Sequence, residues 1–236
     1  MKFNIIETKI QGYLRKGSLL LTKEDLNINI KRHTRAHYVG ISTISGCARM
    51  LWMKYFHPNL IKWPDNSASD HKSVRIFDMG HICEWITVRC LELGGATITG
   101  AQDTYEEFGI FKGHPDATID GNLTGEIKSM NDNHFQHFVE QGVKKSHWGY
   151  YVQTQMYEYY SGTHDGCLIA TNKNTGEMKC EHVPYDEAVV EHHRQKAKHI
   201  SETKHFWDID KEFIAQDLNS CSFCPLRKLC HGDKQW

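Results

Sequence analysis

Residues 113–129 read GHPDATIDGNLTGEIKS, and the structure expected for the chain is built outward from them. Two short runs of β-forming residues flank the turn-forming cluster at 120–122, which predicts a β-hairpin. A three-residue loop at this point would pair Asp116 with Glu126, and directly paired residues share one face of a sheet. A two-residue turn would instead separate these two carboxylates.

The second strand of the hairpin places opposite charges on one face. Side chains alternate along a strand, so Glu126 and Lys128 point to one side while Ile127 points to the other, toward a core. With the longer loop, Asp116 joins them, and two carboxylates and one ammonium group converge. Hard divalent cations prefer carboxylate oxygens, and a bound cation can activate a water molecule.

These residues resemble the signature of a known family. Pro115-Asp116 followed by Glu126-Ile127-Lys128 is similar to the motif of the PD-(D/E)XK nucleases, with a spacing found in RecB-type and phage lambda-type exonuclease domains. The resemblance implies an α/β, restriction-endonuclease-like fold with a mixed central sheet flanked by helices. It also implies that Asp116, Glu126 and the backbone carbonyl of Ile127 bind Mg²⁺ or Mn²⁺, and that Lys128 orients or helps to deprotonate the attacking water.

A helix over residues 77–93 offers a further metal ligand. Apolar residues run nearly all the way round this helix and two glycines follow it, so Glu84 should be partly buried and need a partner. In the nuclease family, an acidic residue or histidine four places after a glycine on this helix contributes to the metal site. Glu84 stands four places after Gly80 and is preferred; His81, one turn earlier, is the alternative.

A helix over residues 148–160 follows the catalytic strand, and most of its aromatic side chains should belong to the core. RecB-type nucleases carry a Q-x-x-x-Y motif on this helix. Gln153 with Tyr157 matches the motif, and so does Gln155 with Tyr159. The resemblance implies that Gln153 and Tyr157 hold the attacked phosphate or its water, with the second pair as the alternative.

The C-terminal segment carries a C-x2-C-x5-C array, Cys221, Cys224 and Cys230, and thiolates at such spacing bind zinc or an iron–sulfur cluster. The array is similar to that of iron–sulfur RecB-type nucleases, including the CRISPR-associated four-cysteine nucleases and their phage-borne relatives. The resemblance implies that Cys47 is the fourth ligand of a [4Fe–4S] cluster that joins the N- and C-terminal segments. Zinc, with His231 as its fourth ligand, is the alternative. The other four cysteines lack this spacing and are expected to be core thiols.

Composition limits the class of protein. The 236 residues fit one large domain, and the net charge of −1 provides no global basic field, so DNA would have to contact a local groove. No apolar run is long enough to span a bilayer and the N-terminus has no signal-peptide core, so we expect an intracellular protein. Residues 1–37, with a basic patch at 31–35, are predicted to form a solvated arm, and residues 38–236 a single nuclease domain.

Shorter patterns predict the remaining elements. A helix capped by Ser42 or Ser45 would place Cys47 in its first turn. A second hairpin is predicted over residues 166–183. A long amphipathic helix is predicted over residues 186–207, with a His-rich, basic face that should be solvated.

Together these features predict a Mg²⁺- or Mn²⁺-dependent DNA exonuclease that acts on single-stranded DNA or DNA ends. The resemblance implies recombination, repair or CRISPR-type DNA processing, with a helicase, a recombinase or a CRISPR adaptation protein as partner. A structure-selective or restriction-like endonuclease is the alternative enzyme. A non-catalytic DNA-end-binding subunit is the alternative of another class, against which the intact Asp116, Glu126 and Lys128 argue.

Overall fold

The computed structural model describes residues 4–22, 38–61, 71–101, 103–214 and 221–231. The described helices are α1 (Ile5–Leu20), α2 (Ala48–Phe56), α3 (His71–Gly94), α4 (Asp132–Gln141), α5 (Val143–Ser146), α6 (Trp148–Ser161), α7 (Glu187–Glu202) and α8 (Arg227–His231). The described strands are β1 (Val39–Gly40), β2 (Ile98–Thr99), β3 (Tyr105–Glu107), β4 (Phe111–Gly113), β5 (Ala117–Ile119), β6 (Leu123–Met130), β7 (Asp165–Asn172) and β8 (Met178–Pro184). Within these ranges, no helix is both long enough and apolar enough to cross a membrane.

A five-stranded mixed sheet forms the centre of the fold, in the order β2-β5-β6-β7-β8. Strands β6 and β7 are parallel, and the other neighbouring pairs are antiparallel. A smaller sheet has the order β1-β4-β3. Helices α1 and α3 cover one face of the central sheet, and α4 and α6 pack on the other. The predicted α/β fold with a mixed central sheet flanked by helices is confirmed.

The β5–β6 hairpin has the register that the three-residue loop predicts. Ile119 pairs with Leu123, which leaves residues 120–122 as the loop. Three further steps along both strands bring Asp116 opposite Glu126. The second predicted hairpin is also present, as β7 and β8.

Helix α1 was not predicted. Its apolar residues recur at four-residue intervals, and Ile10 and Leu14 are buried against α3 and the sheet. The side chain of Asn4 caps the helix by accepting a hydrogen bond from the backbone N–H of Ile6 at 2.9 Å. One face of α1 is therefore packed on the domain, while most of its other side chains are exposed.

The other parts of that N-terminal prediction are not decided by the fold. The basic patch at 31–35 lies outside the described residues. The domain boundary between residues 37 and 38 stays a prediction.

Two further expectations are corrected. Cys47 is the N-cap residue of α2 rather than a member of its first turn. Helix α7 ends at Glu202 instead of near residue 207, and its polar face is not wholly solvated, because His193 and Lys196 are buried. Both side chains lie on the stripe that packs against the core, where tertiary contacts override the polar composition of the helix.

Two glycines allow α1 and α3 to approach closely. A Cβ atom on Gly17 would lie 1.7 Å from the carbonyl oxygen of Cys90, and one on Gly94 would lie 2.2 Å from the carbonyl oxygen of Tyr13. Both neighbours are backbone atoms, which cannot move aside without displacing a helix. By contrast, a Cβ on Gly12 of the same helix meets nothing within 4 Å.

We therefore expect Gly17→Ala to reduce the free energy of unfolding by about 1–3 kcal/mol, as overpacking does. Gly12→Ala should instead raise it by about 0.5–1 kcal/mol, because alanine favours a helix interior. Denaturant unfolding of the two variants measures the difference. Equal stability of both variants would contradict the tight helix crossing.

Candidate active site

Strand β6 presents the predicted charged group on one face. Glu126 is fully buried, and its Oε1 accepts a hydrogen bond from Nζ of Lys128. Its Oε2 is buried with no hydrogen-bond donor among the described residues. Oδ2 of Asp116 accepts a hydrogen bond from the backbone N–H of Ile127 at 2.7 Å, while the Ile127 side chain enters the core below α1 and α3.

Burial and like charges disfavour ionisation of these carboxylates. Burial, followed by the charge of Asp116, raises the pKa of Glu126 to about 8, and burial also raises the pKa of Asp116. Burial alone would lower the pKa of Lys128, but the charges of Glu126 and Asp116 hold it above its usual range. One ammonium group thus faces more negative charge than it can neutralise, which is the environment that binds a divalent cation.

Helix α3 adds a third carboxylate to the group. Burial, followed by the charge of Asp116, raises the pKa of Glu84 to about 7. His81 also lies close enough that its charge lowers the pKa of Asp116, but its side chain is exposed. The structure therefore brings both candidates to Asp116 and buries Glu84 more deeply.

The donor chemistry of these carboxylates fits a hard cation, because Oε2 of Glu126 is buried without a hydrogen-bond donor among the described residues and the charges of Asp116 and Glu84 act on the same carboxyl group. In the part of the chain that the structure describes, however, no three His, Cys, Asp or Glu side chains stand in a preformed metal-binding arrangement. The ion pair between Lys128 and Glu126 occupies one of the oxygens that a metal would use. Metal binding by Glu84, Asp116 and Glu126 stays a prediction.

The backbone carbonyl of Ile127 is the fourth predicted ligand. The hairpin register, continued beyond the paired residues, places Ile127 opposite Pro115. Proline has no backbone N–H and cannot donate to a carbonyl across the ladder. The side chain of Asp116 takes the N–H of Ile127 instead. Pro115 therefore cannot donate a ladder hydrogen bond to the carbonyl oxygen of Ile127.

Helix α6 covers the charged group with aromatic and amide side chains. Tyr157 is buried, and burial, followed by the charges of Glu126 and Asp116, raises its pKa. The ring of Tyr150 lies 5.4 Å from Nζ of Lys128. Gln153 lies between the two tyrosines on the same helix face. Sequence reasoning assigned Tyr150 to the core; its spacing of seven residues from Tyr157 could have placed it on this face.

The alternative glutamine has a different environment. The amide nitrogen of Gln155 donates to the carbonyl oxygen of Pro184 at 2.9 Å, and its Oε1 accepts from the backbone N–H of Asp186. These bonds hold the connection between β8 and α7. The geometry favours Gln153 over Gln155 for the candidate site.

The four candidate cluster cysteines line one cavity, although they come from opposite ends of the chain: Cys47, Cys221, Cys224 and Cys230. The charges of Cys47 and Cys224 act on Cys230, which confirms that these thiols are near each other. None of the eight cysteines, all within the described ranges, forms a disulfide bond. His231 lines the same cavity, so the zinc alternative stays open.

Basic side chains surround these thiols, and the sequence analysis did not find them. Burial raises the pKa of Cys230, and Arg49, which contacts this thiol, opposes that effect; Lys54 and Lys196 lie near Cys224 and Cys47. Positive charge favours the thiolate form, which is the form that binds metals. The spacing of Lys196 along the apolar stripe of α7 could have signalled its burial.

Of the four remaining cysteines, three are buried in the core as predicted: Cys90, Cys167 and Cys180. Cys83 is partly exposed.

No protein-family model matches the sequence, and the comparison with curated proteins gives no match. An alkaline exonuclease from Laribacter hongkongensis has a similar solved structure, at 16% identity and a TM-score of 0.49 over 76% of this chain and 90% of that chain. The structure of its complex with dAMP matches at 13% identity, with a TM-score of 0.48 over 75% of this chain and 90% of that chain. A phage-related exonuclease from Haemophilus somnus 129PT has a similar structure at 10% identity, with a TM-score of 0.49 over 70% of this chain and 93% of that chain. Likeness at this level leaves the chemistry to be argued from the side chains of this chain.

The two glutamines should separate in a stability experiment. Because Gln155→Ala removes a hydrogen bond from each of two partly buried backbone groups, we expect it to reduce the free energy of unfolding by about 1–3 kcal/mol. Gln153→Ala, the matched variant two residues away, should cost less stability and instead reduce DNA cleavage. Thermal unfolding and a nuclease assay on both variants check this. A stable Gln155→Ala protein without activity would reverse the assignment.

Proposed function

We propose that this chain is a metal-dependent DNA exonuclease that hydrolyses phosphodiester bonds on single-stranded DNA or at DNA ends. The observation that supports this most directly is the charged group of Asp116, Glu126 and Lys128 in one hairpin, in which Glu126 is fully buried and its two partners are partly buried, with Glu84 added from α3. A surface hairpin would have solvated these charges. Burying them beside one another is unfavourable for folding alone, which points to a chemical role.

The proposed roles follow from the positions of the side chains. Glu84, Asp116, Glu126 and the carbonyl of Ile127 would hold one or two Mg²⁺ or Mn²⁺ ions, which when bound lower the pKa of water and offset charge on the phosphate. Lys128 orients the attacking water and donates hydrogen bonds to the developing negative charge.

Helix α6 supplies the phosphate contacts in this proposal. Gln153 and Tyr157, one helical turn apart, hold the attacked phosphate through an amide and a phenol. Tyr157 is positioned for this by its burial beside Glu126 and Asp116.

The four-cysteine cavity has the donor set of a [4Fe–4S] site, and we propose that Cys47, Cys221, Cys224 and Cys230 hold such a cluster. A four-iron cluster is a larger body than a single ion, so thiols spread around a cavity suit it better than they suit zinc. Its role would be structural, because it connects the entry to α2 with α8 across the whole length of the domain. Recombination, repair or CRISPR-type DNA processing, with a helicase, recombinase or adaptation protein as partner, is the context we propose.

Removing the charged pair should abolish cleavage. We expect Glu126→Gln and Lys128→Ala to reduce the cleavage rate by at least about 100-fold, because the first weakens a proposed metal ligand and the second removes the cation that would orient the attacking water. Glu106→Gln is the matched control, since Glu106 forms an exposed ion pair with Lys112 on the neighbouring small sheet. Release of nucleotides from labelled DNA with Mg²⁺ or Mn²⁺ measures the effect, and full activity of Glu126→Gln would remove the assignment.

An exonuclease needs an end. We expect linear DNA to be degraded while a covalently closed circle of the same sequence stays intact. Cutting of the circle would replace the exonuclease by the endonuclease alternative on the same residues. Binding of ends without cleavage of either DNA would favour the non-catalytic subunit.

The cysteine site has its own readout. Anaerobically purified protein should contain about four irons per chain, and Cys47→Ala should lose them. Cys83→Ala is the matched control, because Cys83 lies on α3 and does not line the cavity. Iron analysis of the three proteins decides the matter: full iron content in Cys47→Ala would exclude Cys47 as a ligand, and zinc in place of iron would select the alternative.

A further inference from the structure

A cleft of about 650 Å³ adjoins the cysteine cavity and plays no part in the catalysis proposed above. Cys47 and Cys224 line both spaces, so the cysteine site forms one wall of the cleft. The opposite wall is the start of α6, and α7 contributes a third side. A volume of this size suits a ligand as large as a nucleotide.

One side of the cleft is basic and deeply set. Lys196 is 4% exposed, and its ammonium group donates one hydrogen bond to the carbonyl oxygen of Gly46. An ammonium group has three N–H donors, so two can serve a ligand. Nδ1 of the buried His193 bonds the carbonyl oxygen of Val189 at 2.8 Å, which leaves the other ring nitrogen for a contact.

The mouth of the cleft is aromatic. Trp148 is 43% exposed and Phe223 is 94% exposed, although side chains of this kind are normally buried. Trp148 stacks on Tyr151, with 5.4 Å between ring centroids, so its ring is held in place while one face is open. His192 adds an exposed ring with two nitrogens, and Glu212 is the acidic side chain among the described lining residues.

The cleft and the candidate active site lie on two sides of the same helix end. Trp148 faces the cleft, whereas Tyr150, two residues later, faces Lys128. A strand that crosses the first turn of α6 would pass from the carboxylates to the aromatic mouth. Gly149 lies between them, and a Cβ atom there would lie 3.3 Å from Oγ of Ser45, which also lines the cleft.

We propose that this cleft binds one nucleotide of single-stranded DNA, with the base stacked on Trp148 and Phe223 and the phosphate directed to Lys196 and His192. The inference rests on the proposed nuclease function and names where the strand is held outside the catalytic group. Aromatic faces and a basic lining are the combination by which proteins hold single strands. Charge complementarity favours a nucleic acid strand over an apolar peptide.

The test is binding without cleavage. Fluorescence anisotropy of a labelled oligothymidylate is measured in EDTA with Glu126→Gln protein as the parent. It is then measured with double variants that combine Glu126→Gln with Trp148→Ala or with Phe223→Ala. Each added change should weaken binding by at least about fivefold, which is the worth of a stacking contact of ~1 kcal/mol. Phe108→Ala is the matched control, because Phe108 is 39% exposed and lies in the turn before β4. It should bind like the parent protein.

The outcomes separate the two proposals. If the parent protein binds the oligonucleotide and both cleft variants bind it equally well, the cleft assignment is wrong and the nuclease proposal stands. If the parent protein binds no single strand and the native chain cuts no DNA, the proposed function itself fails. Should Trp148→Ala not fold, Phe223→Ala still decides, because so exposed a side chain contributes little to folding.

A second measurement locates the strand directly. Photocrosslinking with 5-iododeoxyuridine in the oligonucleotide should give adducts on the peptides that contain Trp148 or Phe223. Adducts confined to peptides outside the cleft would overturn the assignment.

Discussion

The burial of Asp116 and Glu126 beside one another is the constraint on which the rest of the structure depends. Two carboxylates and one ammonium group in a protein interior are unfavourable unless further positive charge or hydrogen-bond donors are present. Lys128 donates a hydrogen bond to Glu126, the backbone N–H of Ile127 donates one to Asp116, and the charge of His81 also acts on Asp116. The hairpin pairing and the packing of Ile127 in the core hold these groups in fixed positions.

The sheet and two helices impose that geometry. Because side chains alternate on β6, anchoring Ile127 in the core under α1 and α3 fixes Glu126 and Lys128 on the opposite face. The hairpin then brings in Asp116, and α3 brings Glu84. The close crossing at Gly17 and Gly94 pins α3, the helix that carries Glu84, against α1.

Local rules explain why the hairpin could be predicted from the sequence. Loop length and strand alternation fix the pairing of Ile119 with Leu123, and neither depends on distant residues. Asp120 and Gly121 have φ of 52° and 77°, a conformation that glycine adopts freely and Asp tolerates. The predicted charged face of the hairpin follows from the same loop length and strand alternation.

Elements whose character depends on tertiary contacts could not be predicted in this way. The stripe of Ile10 and Leu14 is short and sits in a polar segment, and it is buried because α3 lies above it. Lys196 looks solvated in sequence and is buried because α7 packs on the segment before α2. The spacing of the C-terminal cysteines is a local signal, but the approach of Cys47 is a property of the whole fold.

Many side chains of α6 are buried because different faces of this helix contact different parts of the domain. One face carries Tyr150 and Tyr157 over the charged group, and another holds the β8–α7 connection through Gln155. Trp148 lines the cleft at its first turn. A helix packed on two sides has little freedom to shift, so Gln153 and Tyr157 keep their positions beside the charged group.

The cysteine cavity and the candidate active site are joined by packed atoms rather than by a flexible linker. Cys47 follows the turn at Ile41–Thr43, and Ile41 packs against Gly113. A Cβ atom at Gly113 would lie 2.9 Å from Cβ of Ile41 and 2.5 Å from the hydroxyl of Tyr157, so these three residues are in contact without spare room. Lys196 ties α7 to the same segment through Gly46. A cluster bound to Cys47 would therefore also restrict the position of Ile41 and Gly113, against which the hydroxyl of Tyr157 packs. A structural metal site would in this way affect the position of Tyr157 through packing contacts, without any redox step.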